Sequence, residues 1–413
     1  MTKRRDFIKK SVLGLTAGIA TGGMSLNAKP STSVSIANGG VQKDWHKDPE
    51  WREIKYGGWG GPGVSPGPGP MDDILVKDYA PRSSVVTQET FVPKAKYQVI
   101  DSHVHVLART PEEVADWVKT MDEVGIETSL VLTGVTGDEF DALVDSLPKA
   151  FPGRFQLYCG MDKTNIDKPD YSERVVAELE RCYTKGAIGV GEITDKGYGI
   201  VSPKFDGNYD KPASLPRNKR LHPDDDRLDN FWGKCAELGM PVSLHVADHP
   251  SCWTPLDVYQ ERTPDYQHFN KYGLDVPSYA ELIEKRNRTL KKHPNTIFIS
   301  CHLGNQGHDL EALSHDMDKY PNLYLDTSAR DYEMGRTPRT SAKFLEKYKG
   351  RILFGTDQSR EKSMYQMHWR LLETADEYIV GRLGWRYYGL DLSDSVLKSM
   401  YYNTASKILN LVR

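Results

Sequence analysis

The chain has 413 residues, 38% of them hydrophobic and 27% charged, with a formal net charge of −3. That is enough chain for one large core or two ordinary domains, and the near-neutral balance excludes a dedicated nucleic-acid binder. The five cysteines (Cys159, Cys182, Cys235, Cys252, Cys301) are odd in number and widely spaced, with no Cys-x-x-Cys. They signal neither a zinc knuckle nor a disulfide framework, and Cys159 and Cys301, in apolar runs, read as buried free thiols.

Residues 1–28 combine a basic start, a Gly/Ala-rich apolar stretch of modest hydrophobicity and small residues before Lys29. This reads as a secretory signal and not as a spanning helix. Arg4-Arg5 followed by Asp6, Phe7, Ile8 and Lys9 resembles the twin-arginine export motif, with Lys3 where Ser or Thr is usual. The expectation is a periplasmic or otherwise exported protein, cleaved near Ala28 and then free of stable membrane insertion. Uncleaved, the segment would be an anchor. No later run approaches the ~20 apolar residues of a span.

Residues 29–96 are Gly/Pro-rich, with "YGGWGGPGVSPGPGPMDD" able to form neither a helix nor a central strand. Trp51, Tyr56 and Trp59 make the segment too aromatic for a pure linker. It reads as an extended arm wrapping the main domain and reaching a second subunit, so a homo-oligomer is among the expectations.

From residue 97 the pattern changes. Eight β-rich runs follow in order: "YQVIDSHVHV", "ETSLVLTGV", "FQLYCGMD", "AIGVGEI", "MPVSLHVA", "TIFISCHLG", "NLYLDTSA" and "RILFGTDQ". Amphipathic helical stretches such as "PEEVADWVKTMDEVG" and "YAELIEKRNRTLKKH" lie between them, and "SDSVLKSMYYNTASKILNLV" closes the chain. The pattern predicts an α/β fold, a (β/α)₈ barrel over residues 97–413. An open doubly wound sheet is the runner-up, but "SHVHVLART" is no Gly-rich phosphate turn. The connections at 194–225 and 248–276, after strands four and five, are long and rich in aromatic and basic residues, and they read as a substrate cap.

Polar residues end these strands. His103 and His105 lie on strand one, Glu192 on four, His245 on five, His302 on six and Asp357 on eight. Alternate residues of a strand share a face, so His103 and His105 are expected to converge. Imidazoles plus a carboxylate suit a divalent first-row ion, zinc first and manganese or another such ion next. Bound water then has a pKa near ~7. Glu192 is either a further ligand or an ion-pair partner. His249 and Trp253 are expected to line the pocket. Arg330 is expected to hold a substrate carboxylate, with an ion pair to Asp326 or Asp331 as the structural alternative. His308 reads as a cap or surface residue, and His222, His268, His293, His315 and His368 as structural or exposed.

The set "IDSHVHV", "VSLHVADHP", "ISCHLGN" and "LFGTDQS" resembles the amidohydrolase superfamily, and within it the amidohydrolase-2 branch, over roughly residues 90–412. The resemblance implies that His103, His105 and His245 bind metal. It implies that Asp357 binds metal or the attacking water and shuttles protons, and that His302 polarises substrate or acts as acid/base. Strand four lacks the lysine that many two-metal members carboxylate, so one ion is expected, with Glu192 as an added ligand in the manner of deoxyribonuclease-like members.

The expected activity is hydrolysis of a lactone, ester or amide in a small molecule or oligosaccharide, an acidic one included. Two alternatives remain. One is a lyase on the same site, either decarboxylating a carboxylated aromatic or unsaturated acid or dehydrating a uronic-acid-containing saccharide. The other is an exported binding protein on a decayed barrel. For export, replacing Arg4 and Arg5 with Lys should leave a full-length precursor in the cytoplasmic fraction; undiminished export would point to the general secretory route.

Overall fold

The structure, a computed structural model, describes residues 69, 72–75, 78, 82–200, 216, 219–257, 260–262, 269–381 and 385–410. Eight parallel strands pair in sequence order: β1 (Val99–Val104), β2 (Ile126–Leu132), β3 (Phe155–Cys159), β4 (Ala187–Asp195), β5 (Val242–Val246), β6 (Phe298–Ser300), β7 (Leu323–Asp326) and β8 (Ile352–Leu353). The chain beyond β8 returns to β1. Ser102 N–H donates to Phe354 O at 2.9 Å and Asp357 N–H donates to His103 O at 2.8 Å. These bonds bring the last strand against the first and give the (β/α)₈ barrel that the pattern predicts.

Helices follow every strand: α1 (Pro111–Val124), α2 (Gly137–Ser146), α3 (Tyr171–Thr184), α4 (Asp229–Glu237), α5 (Tyr279–Lys292), α6 (Leu310–Lys319), α7 (Asp331–Arg336) with α8 (Pro338–Lys347), and α9 (Lys362–Glu373). Local chemistry sets their ends. Thr110 and Glu113 form a capping box before α1, Pro111 occupies its first position, and Gly125 ends it with φ +94°. Ser278 and Glu281 repeat the box at α5.

Two apolar clusters hold the layers. The larger lies between strands and helices and includes Trp117, Trp232 and Trp369, all fully buried. The smaller gathers Ile100 from β1, Leu130 and Leu132 from β2, Tyr158 from β3, Ile299 from β6 and Leu353 from β8 with Ala405, Ile408 and Leu409. Strands so far apart in the sheet can share one cluster only through the barrel's interior. The closing segment, α10 (Asp394–Lys398), a wide turn and α11 (Thr404–Ile408), therefore plugs one end of the barrel.

The described part of the arm, 82–96, has no regular element. It is tied to the barrel by polar bonds: the Thr90 N–H and hydroxyl donate to Asp376 at 2.6 and 2.8 Å, and Lys96 donates to Asp394 at 2.6 Å. The signal segment 1–28, Trp51, Tyr56, Trp59 and His268 lie outside the described residues.

Trp232 on α4 donates its indole N–H to Pro223 O at 3.0 Å and packs edge-on against Phe298 of β6. Trp232→Ala should lower the unfolding free energy by about 3–5 kcal/mol, the scale of emptying an aromatic core site, read from denaturant unfolding. A change below about 1 kcal/mol would contradict this packing.

Candidate metal centre

The six strand-end residues meet at one mouth of the barrel. Four overlapping groups of possible ligand atoms form there: His103–His105–Glu192, His103–His302–Asp357, Glu192–His245–His302 and, behind them, His103–Cys301–Asp326. Glu192 lies inside β4, which runs on to Asp195, and not at its end. His105 lies just past β1, whose pairing with β2 slips between Asp101 and Val104. Simple alternation is thus not what joins His103 and His105; the irregular strand end turns their rings edge to face, 5.4 Å apart.

Two glycines make room for this convergence. A Cβ on Gly191 (φ +151°) would stand 2.6 Å from Ser243 Cβ, and one on Gly355 would stand 2.9 Å from His103 Cβ. Both distances are below any real contact, so β4 and β8 approach the centre this closely only as glycine.

The ligand-capable atoms of each group lie within 4.8 Å of one another. His105 Nε2 is 3.1 Å from Asp357 Oδ1 and 3.8 Å from Glu192 Oε2. His103 Nε2 is 3.9 Å from Glu192 Oε1 and 3.8 Å from Asp357 Oδ1. His302 Nε2 is 3.2 Å from His245 Nδ1, 3.5 Å from Glu192 Oε1 and 3.7 Å from Asp357 Oδ2. Two donors each about 2.1 Å from one ion sit roughly 3.0–3.4 Å apart at right-angled to tetrahedral geometry. His245 Nδ1 and Glu192 Oε1, at 2.6 Å, are instead at hydrogen-bond distance.

Proton bookkeeping points the same way. His103 Nδ1 faces Asp326 Oδ2 at 2.9 Å, so in the neutral ring the N–H is spent there and Nε2 carries the lone pair. That Nε2 is buried and has no hydrogen-bond partner among the described residues. The Ser328 hydroxyl gives its proton to Asp326 Oδ1, leaving Ser328 Oγ and O to accept from His302 Nδ1–H at 2.8 and 3.0 Å. His302 Nε2 is then also a bare lone pair aimed into the centre. Burial, with the charge of His245, pushes the His302 pKa down to about 4, so the ring is neutral. Burial pushes Glu192 upward, but His245 outweighs it and holds the carboxyl well below its ordinary range. Asp357 likewise stays ionised, because His103 and His105 overcome its desolvation. Burial pushes His103 and His105 down, but Asp326 and Asp357 outweigh it and hold both rings above the ordinary imidazole range, so an ion would take the place of protons there. Imidazoles facing ionised carboxylates, with His103 Nε2 and His245 Nε2 both buried and without a hydrogen-bond partner among the described residues, fit a divalent ion, and His103, His105, His245, Glu192 and Asp357 would hold it.

The second layer includes residues that the sequence did not single out. Asp326, almost fully buried, also accepts from the backbone N–H of His302 at 2.8 Å and of Ser328 at 3.1 Å. It is therefore unavailable to Arg330, which donates to Ala329 O and Asn305 Oδ1 and pairs with Glu333 at 3.4 Å. His308 is half-buried, its ring set between those of His249 and Tyr279 at 5.0 and 5.7 Å. His249 is buried, with Nδ1 2.7 Å from Ser251 Oγ. Trp253 is half-buried and donates to Pro277 O at 2.9 Å. His222 is structural, bound to Asp195 at 2.6 Å.

His105 is the most accessible imidazole of the set, its side chain 43% exposed. His105→Ala should retain the fold and lose most of its metal, measured by elemental analysis against a wild-type value of about one ion per chain. Full occupancy in the variant would remove His105 from the ligand set.

No curated protein matches the chain. Among solved structures it is similar to an uncharacterised TIM-barrel protein from Bordetella bronchiseptica, with 15% identity, a TM-score of 0.44 and coverage of 76% of this chain and 98% of that one. It is also similar to 2,6-dihydroxybenzoate decarboxylase from Rhizobium (15%, 0.46, 76% and 99%). A third is a dihydroxybenzoic acid decarboxylase from Polaromonas with bound manganese (17%, 0.46, 77% and 98%). The model of the amidohydrolase-2 family, described as amidohydrolase, matches residues 100–411, a span holding every residue of the centre, and the chain belongs to that family.

Proposed function

We propose that the protein is an exported, metal-dependent hydrolase that opens a lactone, ester or amide bond in a carboxylate-bearing small molecule or oligosaccharide. The observation that carries this reading is Asp357. It is an ionised carboxylate at the edge of the imidazole cage, its side chain 26% exposed while His103, His245 and His302 are sealed. A divalent ion bound there supplies Lewis acidity and a more acidic water. Zinc suits the imidazole-rich set, and manganese or another first-row ion is the alternative.

Asp357 then accepts the proton of the attacking water on a carboxylate oxygen and returns it to the leaving group. His302, neutral with Nε2 bare, is a second proton acceptor on the same side. It cannot donate to a developing oxyanion until it has taken up a proton, because its Nδ1–H is committed to Ser328.

The anionic substrate is supported by the charges around the mouth. The positive charge of Arg330 bears on His302. Lys163, half-buried just past β3, faces Glu192, and burial lowers its pKa. The same cations would hold the carboxylate of a substrate that releases it as carbon dioxide, or of a uronic acid that loses water, which supports a lyase as the second reading.

Product masses from metal-loaded protein separate the two. Gain of water is expected; loss of carbon dioxide or of water would replace hydrolase with lyase. His302→Asn should keep most of its metal while turnover falls by roughly 10²–10⁴-fold, with a smaller change in KM. Joint loss of metal and activity would make His302 a ligand; near-normal turnover would make it structural.

A further inference from the structure

The ring of His245 poses a problem that its own strand does not solve. Nδ1 is the atom that faces Glu192 and His302. To offer that lone pair to an ion, the ring must carry its proton on Nε2. Nε2 is buried and has no hydrogen-bond partner among the described residues. One acceptor stands near it: Asp248 Oδ1 at 3.5 Å, an ion-pair separation somewhat longer than a full hydrogen bond.

Asp248 is itself held from two loops. Lys271 Nζ, 3% exposed, donates to Asp248 Oδ2 at 2.6 Å and to Phe269 O at 3.0 Å. Lys196 Nζ, on the residue after β4, lies 3.1 Å from Oδ1. Both ammonium groups rest on aromatic faces of the same cap, Lys271 over Trp253 at 4.8 Å and Lys196 over Phe269 at 5.3 Å. Lys271 N–H also donates to Cys252 O at 2.6 Å, pinning the far side of the loop to its start.

We propose that Asp248 is a positioning residue that fixes the His245 ring with Nδ1 toward the ion and, through Lys271 and Lys196, couples the cap after β5 to occupancy of the centre. This rests on the metal reading above. Ligation at Nδ1 leaves Nε2–H in need of an acceptor, and the carboxylate that moves to take it carries both lysines. The coupling is reciprocal: whatever orders the cap also favours the ion.

The test uses full-length protein stripped of metal and zinc alone as the probe. Zinc affinity is measured by competition with a chromophoric chelator for wild type, Asp248→Asn and Asp248→Glu. Asp248→Asn should bind zinc about 10–100-fold more weakly, the usual scale for losing an outer-shell carboxylate, and Asp248→Glu should recover part of the loss. In the wild type, zinc should slow amide hydrogen exchange across residues 249–257 and 269–278, a readout that needs no variant to fold. Equal zinc affinity in Asp248→Asn, or cap exchange indifferent to bound zinc, would overturn the inference and leave the metal centre standing. A wild type that takes up no zinc, manganese or cobalt would remove the metal reading and this inference with it.

Discussion

The carboxylate of Asp326 is the fixed point of the mouth. At the end of β7 it binds the His103 ring from β1, the backbone N–H of His302 after β6 and the Ser328 side chain, all out of solvent. A buried charge of this kind is tolerated only when each lone pair has a donor. Here those donors are the parts that the site must hold still. The neutral tautomers of both His103 and His302 are set by this one group and its neighbour Ser328, so both Nε2 atoms point inward.

Much of this was readable in the chain. The eight apolar runs announce a parallel sheet, and the polar residues in or after five of them, His103, Glu192, His245, His302 and Asp357, announce a shared mouth, although Glu192 lies inside its strand. What could not be read is who partners whom. Asp326 also ends an apolar run, but its partner lies 223 residues earlier across the barrel, and no local pattern marks it. With Asp326 committed to His103, His302 and Ser328, Arg330 donates to Asn305 and pairs with Glu333. His308 looked like a helix cap because it follows Gly and Gln. The structure sets its ring between His249 and Tyr279, half-buried.

The turn after β6 is the least expected piece of backbone in the site. His302, Leu303, Gly304 and Asn305 all have φ between +51° and +61°, and only one of them is glycine. A left-handed turn costs roughly 1–2 kcal/mol per non-glycine residue. Its surroundings offset this: Asp326 holds the N–H of His302, Arg286 donates to Gly304 O at 3.3 Å, and the Asn305 amide donates to Val246 O and Ala247 O. Asp357 is a further non-glycine residue at positive φ, +48°. Strained backbone thus gathers where chemistry is proposed, as expected when surrounding contacts over-determine a conformation.

Closure of the barrel by bonds between residues 102–103 and 354–357 has a consequence in time. The first imidazoles and the last carboxylate of the centre are separated by some two hundred and fifty residues of sequence, and β8 contributes only two residues to the sheet. A contact of such long range forms late in folding, because its loop-closure entropy is lost before its bonds are gained. A growing chain that displays His103 and His105 therefore has no complete cage until the segment around Asp357 has been synthesised and docked. Tight capture of an ion then reports a finished barrel, and partly made chains are spared from sequestering metal in a half-built site.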